Sequence, residues 1–209
     1  MDAIKTPKQY LLEYSLVVLG VLTAVGLENW RESRRHKELA DQAQVAIQQE
    51  LRDQLGEITR VLRANTENAK LVDGIYDHLL AKVRANAPRE EWMPEAQAFF
   101  GHIQMMAPDF HRDAWDAALS SQAVLYLDPV RGRRYAAAYG RIRDVHDRYL
   151  NRQESLWESW SSTRVDAETG RLDPVVLLKV VRNYVALVED FDAFLEGLTE
   201  SLGKTLDAG

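Results

Sequence analysis

The strongest constraint on this chain is an apolar run near its start: from Tyr14 to Leu27 it reads YSLVVLGVLTAVGL, fourteen residues without a charge. Adding Tyr10, Leu11 and Leu12 gives eighteen residues interrupted only by Glu13, roughly 27 Å of helix and close to the thickness of a bilayer's hydrocarbon core. Tyr10 and Tyr14 at one end and Trp30 at the other suit the two membrane interfaces. Thr6-Pro7 reads as an N-cap followed by a first-turn proline. The expectation is a retained transmembrane helix over residues 10–30, after a tail and helix start at 1–9 and before a helical bundle at 31–209. Two other readings of the run compete with it. One is a buried core helix. The other is a cleaved signal peptide, with Lys5 and Lys8 ahead of the run and Ala24-x-Gly26 as the processing site. Glu13 and the uninterrupted helical sequence beyond Gly26 weigh against cleavage.

Charge around the run bears on orientation. Lys5 and Lys8 precede it, while Arg31, Arg34, Arg35 and Lys37 follow it. The positive-inside bias therefore leans toward a cytoplasmic bundle and leaves the periplasmic side open. Glu13, Gly20, Ala24 and Glu28 fall on one helix face, within about 80° of each other. Gly20 and Ala24 form a small-x-x-x-small pair that lets another helix approach closely, which predicts a homo-oligomeric contact in the membrane. The plainer alternative has both glutamates reaching the headgroups.

Beyond the run the pattern is helical throughout, and the fold class expected is all-α. Leu39, Ala43, Ile47, Leu51, Leu55, Ile58 and Leu62 continue the first helix as an amphipathic one, with Gly56 and Gly74 as possible irregularities. A break is expected from Ala87-Pro88 to Met93-Pro94, then a short helix from Pro94 to about Met106 and another capped by Asp109. Asp128-Pro129 starts a helix running to about Thr163, with Tyr135, Tyr139, Ile142, Val145, Tyr149, Leu156 and Trp160 inward. Asp173-Pro174 opens the last, where Leu177, Val181, Tyr184, Val188, Phe191, Leu195, Leu198 and Leu202 alternate spacings of four and three, as in bundles and coiled coils.

The order Glu13, Leu16-Val17-Val18, Gly20-Val21-Leu22, Ala24, Asn29-Trp30 and a basic run, then Glu50-Leu51, resembles a group of uncharacterised bacterial single-span membrane proteins. Members carry an LVVxGxLxAxxxxxW segment followed by charged helical sequence. The stretch Ala114-Trp115-Asp116-Ala117-Ala118, Ser120-Ser121 and Tyr135 through Tyr139 is similar to that group's middle section. The resemblance covers about a third of the chain. It implies an inner-membrane protein in a Gram-negative bacterium and supplies no catalytic residues. Relatives often have a more basic leader than Lys5 and Lys8, which leaves topology open.

Candidate chemistry is sparse. The chain has no cysteine, hence no thiolate site or thiol nucleophile. His36, His78, His102, His111 and His146 lack the spacings of helical metal sites. Asp109, His111, Asp113 and Asp116 make the densest cluster, and Ser201-x-x-Lys204 matches a bare Ser-Lys spacing without companion motifs. Neither a metal, a cofactor nor catalysis is expected, and the net charge of −6 argues against nucleic acid. Arg131, Arg133, Arg134, Arg141, Arg143, Arg148 and Arg152 concentrate cations that could meet anionic lipid or a protein partner. The favoured reading is a solvated face paired with the acidic last helix at Glu189, Asp190, Asp192, Glu196 and Glu200. The functional expectation is a non-enzymatic, membrane-anchored scaffold with an unknown protein partner, the alternative a tethered ligand sensor.

Overall fold

The computed structural model describes residues 7–207, with the side chains of 7–10, 12 and 155 outside the description. Lys5 and the Thr6 cap therefore lie outside the described residues, as do the side chains of Lys8, Tyr10 and Leu12. Helix α1 runs unbroken over Pro7–Arg84, 78 residues and about 117 Å at the usual rise. It passes straight through Gly56 and Gly74, whose Cα hydrogens face open space. Helix α2 follows at Arg89–His102, α3 at Asp113–Ser120, a 3₁₀ turn at Ala123–Tyr126, α4 at Pro129–Glu168 and α5 at Pro174–Asp207. No strand occurs among the described residues, so the molecule is all-helical.

Side-chain pairings fix the topology. Asn68 of α1 bonds the carbonyl of His102, Asn65 that of Met106, and His36 stacks on Tyr126. The stretch from α2 through α3 to the 3₁₀ turn thus descends antiparallel to α1. Helix α4 climbs parallel to α1, Arg131 meeting Gln44 and Tyr139 meeting Glu50. Helix α5 descends again, with Arg152 on Asp190 and Arg141 on Ser201. The result is a four-layer up-down-up-down bundle whose α1 projects from one end. Its core has two parts: a proximal cluster near the projecting end, with Ile47, Leu51, Tyr135, Tyr139 and Leu195, and a distal one with Val72, Leu79, Phe99, Leu177 and Tyr184.

The heptad seam of α5 is buried at all eight positions. Asp128 caps α4 as its sequence predicts, accepting from the amides of Val130 and Arg131 at 3.0 Å each. Other expectations shift. Helix α2 begins at Arg89 rather than Pro94, because Pro94 fits the second turn at the loss of one bond to the Glu90 carbonyl. It also ends at His102, short of Met106. Asp109 does not cap α3; the helix starts at Asp113, and Glu50 of α1 accepts from the Ala114 amide at 2.8 Å, capping it from outside. Helix α4 continues past Thr163 to Glu168, while its Tyr149, Leu156 and Trp160 are only partly covered. The turn to α5 uses Gly170 at φ +79°, where a Cβ is strained, and Arg89 holds the carbonyls of Ala167 and Gly170 across it.

The transmembrane helix expected over residues 10–30 falls within α1. Among the described residues no helix is long and apolar enough to cross a membrane.

Candidate functional site

Four places carry unusual chemistry, and the first is the projecting part of α1. Leu16, Val17, Leu19, Val21 and Leu22 are 56–64% exposed, and Val25, Leu27 and Trp30 are more than half exposed. Apolar side chains point out in every direction, so no stripe faces the bundle; among the described side chains the first buried residue of α1 is Ala40. The hydroxyls of Ser15 and Thr23 bond back to the carbonyls of Leu11 and Leu19 at 2.8 Å each. Glu13, Gly20, Ala24 and Glu28 are all exposed, and a Cβ on Gly20 would meet nothing within 4 Å.

The basic run of α4 is spread around the helix rather than gathered in one patch. Arg131 donates to Gln44 Oε1 at 2.7 Å and Arg141 to the Ser201 hydroxyl. Arg152 pairs with Asp190 at 3.1 Å, and Arg148 lies 4.7 Å over the Phe194 ring. Arg133 is exposed. Arg134 also has a partner.

The acidic cluster faces a broad groove between α1 and the segment leading into α3. Asp109, His111 and Asp113 come together there with Glu50, Asp53 and Glu57, while Asp116 is engaged by Arg112 at 3.0 Å. Arg60, hydrogen-bonded to Glu57, lowers that carboxyl. No group of His, Asp and Glu among the described residues is arranged to hold a metal ion.

The last place is one that periodicity alone misses. Residues 103–112 have no helical partners, and polar side chains of α1 hold them instead. Asn65, 1% exposed, accepts from the Met106 amide at 3.0 Å and donates to its carbonyl at 3.1 Å. Asn68 donates to the Gln104 carbonyl and Gln54 to that of His111. Tyr184 of α5 donates to the Gln104 carbonyl at 2.7 Å, and burial pushes its phenol up to about 12. Burial likewise raises Tyr139, helped by its bond to Glu50. Against this clamped segment lies a cleft of about 330 Å³, lined by Ile103, Met105, Met106, Leu156, Trp157 and Trp160. The two indoles stand 4.6 Å apart, and Trp160 Nε1 is buried without an acceptor. The available clue lies in α1, where Gln54 and Asn65 occupy stripe positions that ordinarily take apolar residues.

Asp192 sits beside this clamp and accepts from Asn65 Nδ2 at 2.9 Å. Burial raises its carboxyl pKa, the bond from Asn65 opposes that, and Glu196 adds to it. A raised folded-state pKa means the native state loses stability as pH climbs from the ordinary carboxylate range through the shifted value. Asp192→Asn keeps an acceptor for Asn65 and removes the ionisation. Thermal unfolding across pH should show the variant more stable than the parent above that window and equal to it below. A gap independent of pH would refute the assignment.

No family model, curated protein or solved structure matches the chain.

Proposed function

We propose that the protein is a non-enzymatic, membrane-anchored scaffold of the bacterial inner membrane, single-pass, whose bundle is tethered to the surface by the apolar part of α1. The observation that carries this is the all-round exposure of residues 16–27 on a helix that leaves the bundle. A helix apolar on every side is a membrane or partner-buried element, and eight exposed leucines and valines in one run would aggregate in water. The self-bonded hydroxyls of Ser15 and Thr23 suit a medium without water. The uncharged run alone is about 21 Å; including Leu11, Leu12 and Tyr10 brings it to about 27 Å, with Glu13 turned to another helix. The exposed Gly20 and Ala24 are the surface for a second copy of that helix. Tethering raises the bundle's effective concentration near a protein partner at the same surface. The excess of cations after the run favours the cytoplasmic side.

The test is alkaline extraction of membranes from cells expressing the full chain. The reading expects the chain to stay with the pellet; recovery of intact, unprocessed protein in the aqueous wash would overturn it. The cleft beside Trp157 and Trp160 favours a second reading, a tethered sensor of small molecules. That version expects a specific compound to raise the melting temperature.

A further inference from the structure

The end of the bundle from which α1 projects is itself built like a membrane contact. His36 stacks on Tyr126 with centroids 3.9 Å apart and planes 10° off parallel, and Arg131 ties the first turn of α4 to Gln44. These contacts lay the loop between α3 and α4 alongside α1 just after the apolar run. Gln122 and Tyr126 share a surface cleft with Glu28 and Arg31, so the loop faces the part of α1 that follows Leu27. The tip of that loop is apolar. Leu125 is 73% exposed, as open as Tyr14 of the apolar run at 69%, and Leu119, Tyr126 and Val130 are 41–47% exposed. Cations lie near it: Arg31 and Arg35 line that cleft, Lys37 lines a second one with Tyr126, and Arg133, early in α4, is exposed with them. Acids share this end, and two of them are committed to partners. Glu38 pairs with Arg34 at 3.4 Å, Glu32 lies 3.9 Å from His36, and Asp128 is committed to its two amides; Glu28 and Asp41 are also close in sequence. Trp30, with Arg34 5.6 Å over its ring, follows the run in α1, at the height where interfacial aromatics collect.

We propose that this end of the bundle is a second lipid contact, in which Leu125 and Tyr126 enter the headgroup layer while Arg31, Arg35, Lys37 and Arg133 meet anionic phospholipid. The inference rests on the anchoring reading above and adds to it a defined orientation of the bundle. Exposed apolar residues with cations nearby are the surface that anionic headgroups favour. The helix rise sets the distance: His36 is nine residues past Leu27, about 13 Å along α1, so an exposed side chain at the loop tip bridges toward the headgroups.

Because the chain has no cysteine, single labels can be placed cleanly on the full-length protein. Leu125→Cys and, separately, Val21→Cys carry an environment-sensitive fluorophore after reconstitution into vesicles of phosphatidylcholine, with or without phosphatidylglycerol. The expected result is a blue-shifted label at 21 in both vesicles and at 125 chiefly in the anionic ones. Adding Arg31→Gln, Arg35→Gln and Arg133→Gln should lower the docked fraction at 125, the ratio of docked to undocked falling about a hundredfold, and leave 21 unchanged. A label at 125 that stays aqueous while 21 is buried overturns this inference and leaves the anchor standing. Equal burial of 125 in neutral and anionic vesicles overturns it too, since the cations would then contribute nothing. An aqueous label at both positions overturns the anchor and this inference together.

Discussion

Replacing Leu19 and Leu22 together by arginine is expected to move the chain from the membrane fraction into the aqueous extract. The apolar run holds eight leucines and valines, which together favour lipid by about 2–5 kcal/mol on the insertion scale. Two central arginines add about 5–7 kcal/mol in the opposite sense and also remove two favourable leucines. The balance reverses by several kcal/mol, and the fold of the bundle should not notice, because both leucines are exposed and touch none of its core. Val45→Arg supplies the control: this residue is 67% exposed on the bundle part of α1 and should leave the distribution unchanged. Fractionation followed by immunodetection reads the result. A double variant that still pellets with membranes would mean that the run is not what holds the chain there.

Asn65→Leu should be the most damaging substitution of a single polar side chain. Leucine keeps the number and branching of side-chain heavy atoms, with more bulk, but withdraws one acceptor and two donor bonds, leaving the amide and carbonyl of Met106 and the carboxylate of Asp192 without that partner. Each buried polar group so orphaned costs about 1–3 kcal/mol, and about 3 kcal/mol in total is expected once water reaches part of the site. Chemical denaturation should show the loss, and amide exchange should show where it falls: the Met106 amide would exchange far faster while those in the middle of α5 remain protected. Uniform loss of protection, or none, would show that the clamp is not the local constraint inferred for residues 103–112. Asn65→Asp separates geometry from charge, since it keeps an acceptor for the Met106 amide and places a second carboxylate beside Asp192.

How much of this was legible beforehand depends on where each element finds its hydrogen bonds. Helix α5 satisfies its own backbone and buries one strict seam, so spacing alone identifies Leu177 through Leu202. Helix α4 starts at Asp128-Pro129 for equally local reasons. The phase of α1 was harder. Leu55 and Leu62 look like core residues, yet they are half-buried, while Gln54 at 3% and Val61 at 0% exposure fill the interior. The stripe runs through 47, 51, 54, 58, 61 and 65, and two of those positions are amides, which an apolar pattern discards. Those amides bind the backbone of 103–112, a segment whose partners lie tens of residues away in sequence. No window of neighbours contains them. The same holds for the start of α3, whose cap is Glu50 on another helix, and for the Trp157–Trp160 cleft, whose far wall is that clamped segment. The seven arginines of α4 lie close together in sequence, and the helix distributes them over several faces, toward Gln44, Ser201, Asp190 and Phe194; Arg152 on Asp190 is a pairing of the kind expected with the acidic last helix.

The continuity of α1 has a mechanical consequence. With no proline after Pro7, no kink at Gly56 or Gly74 and no turn before Arg84, the helix is a stiff lever with one arm in the bundle. From Ala40 to Arg84 that arm is about 68 Å, so leaning the other arm by about 10° would sweep its far tip through roughly 12 Å. Whatever reorients the projecting end therefore carries the distant turn around Asn86 with it, and carries along the row of amides that grips residues 103–112.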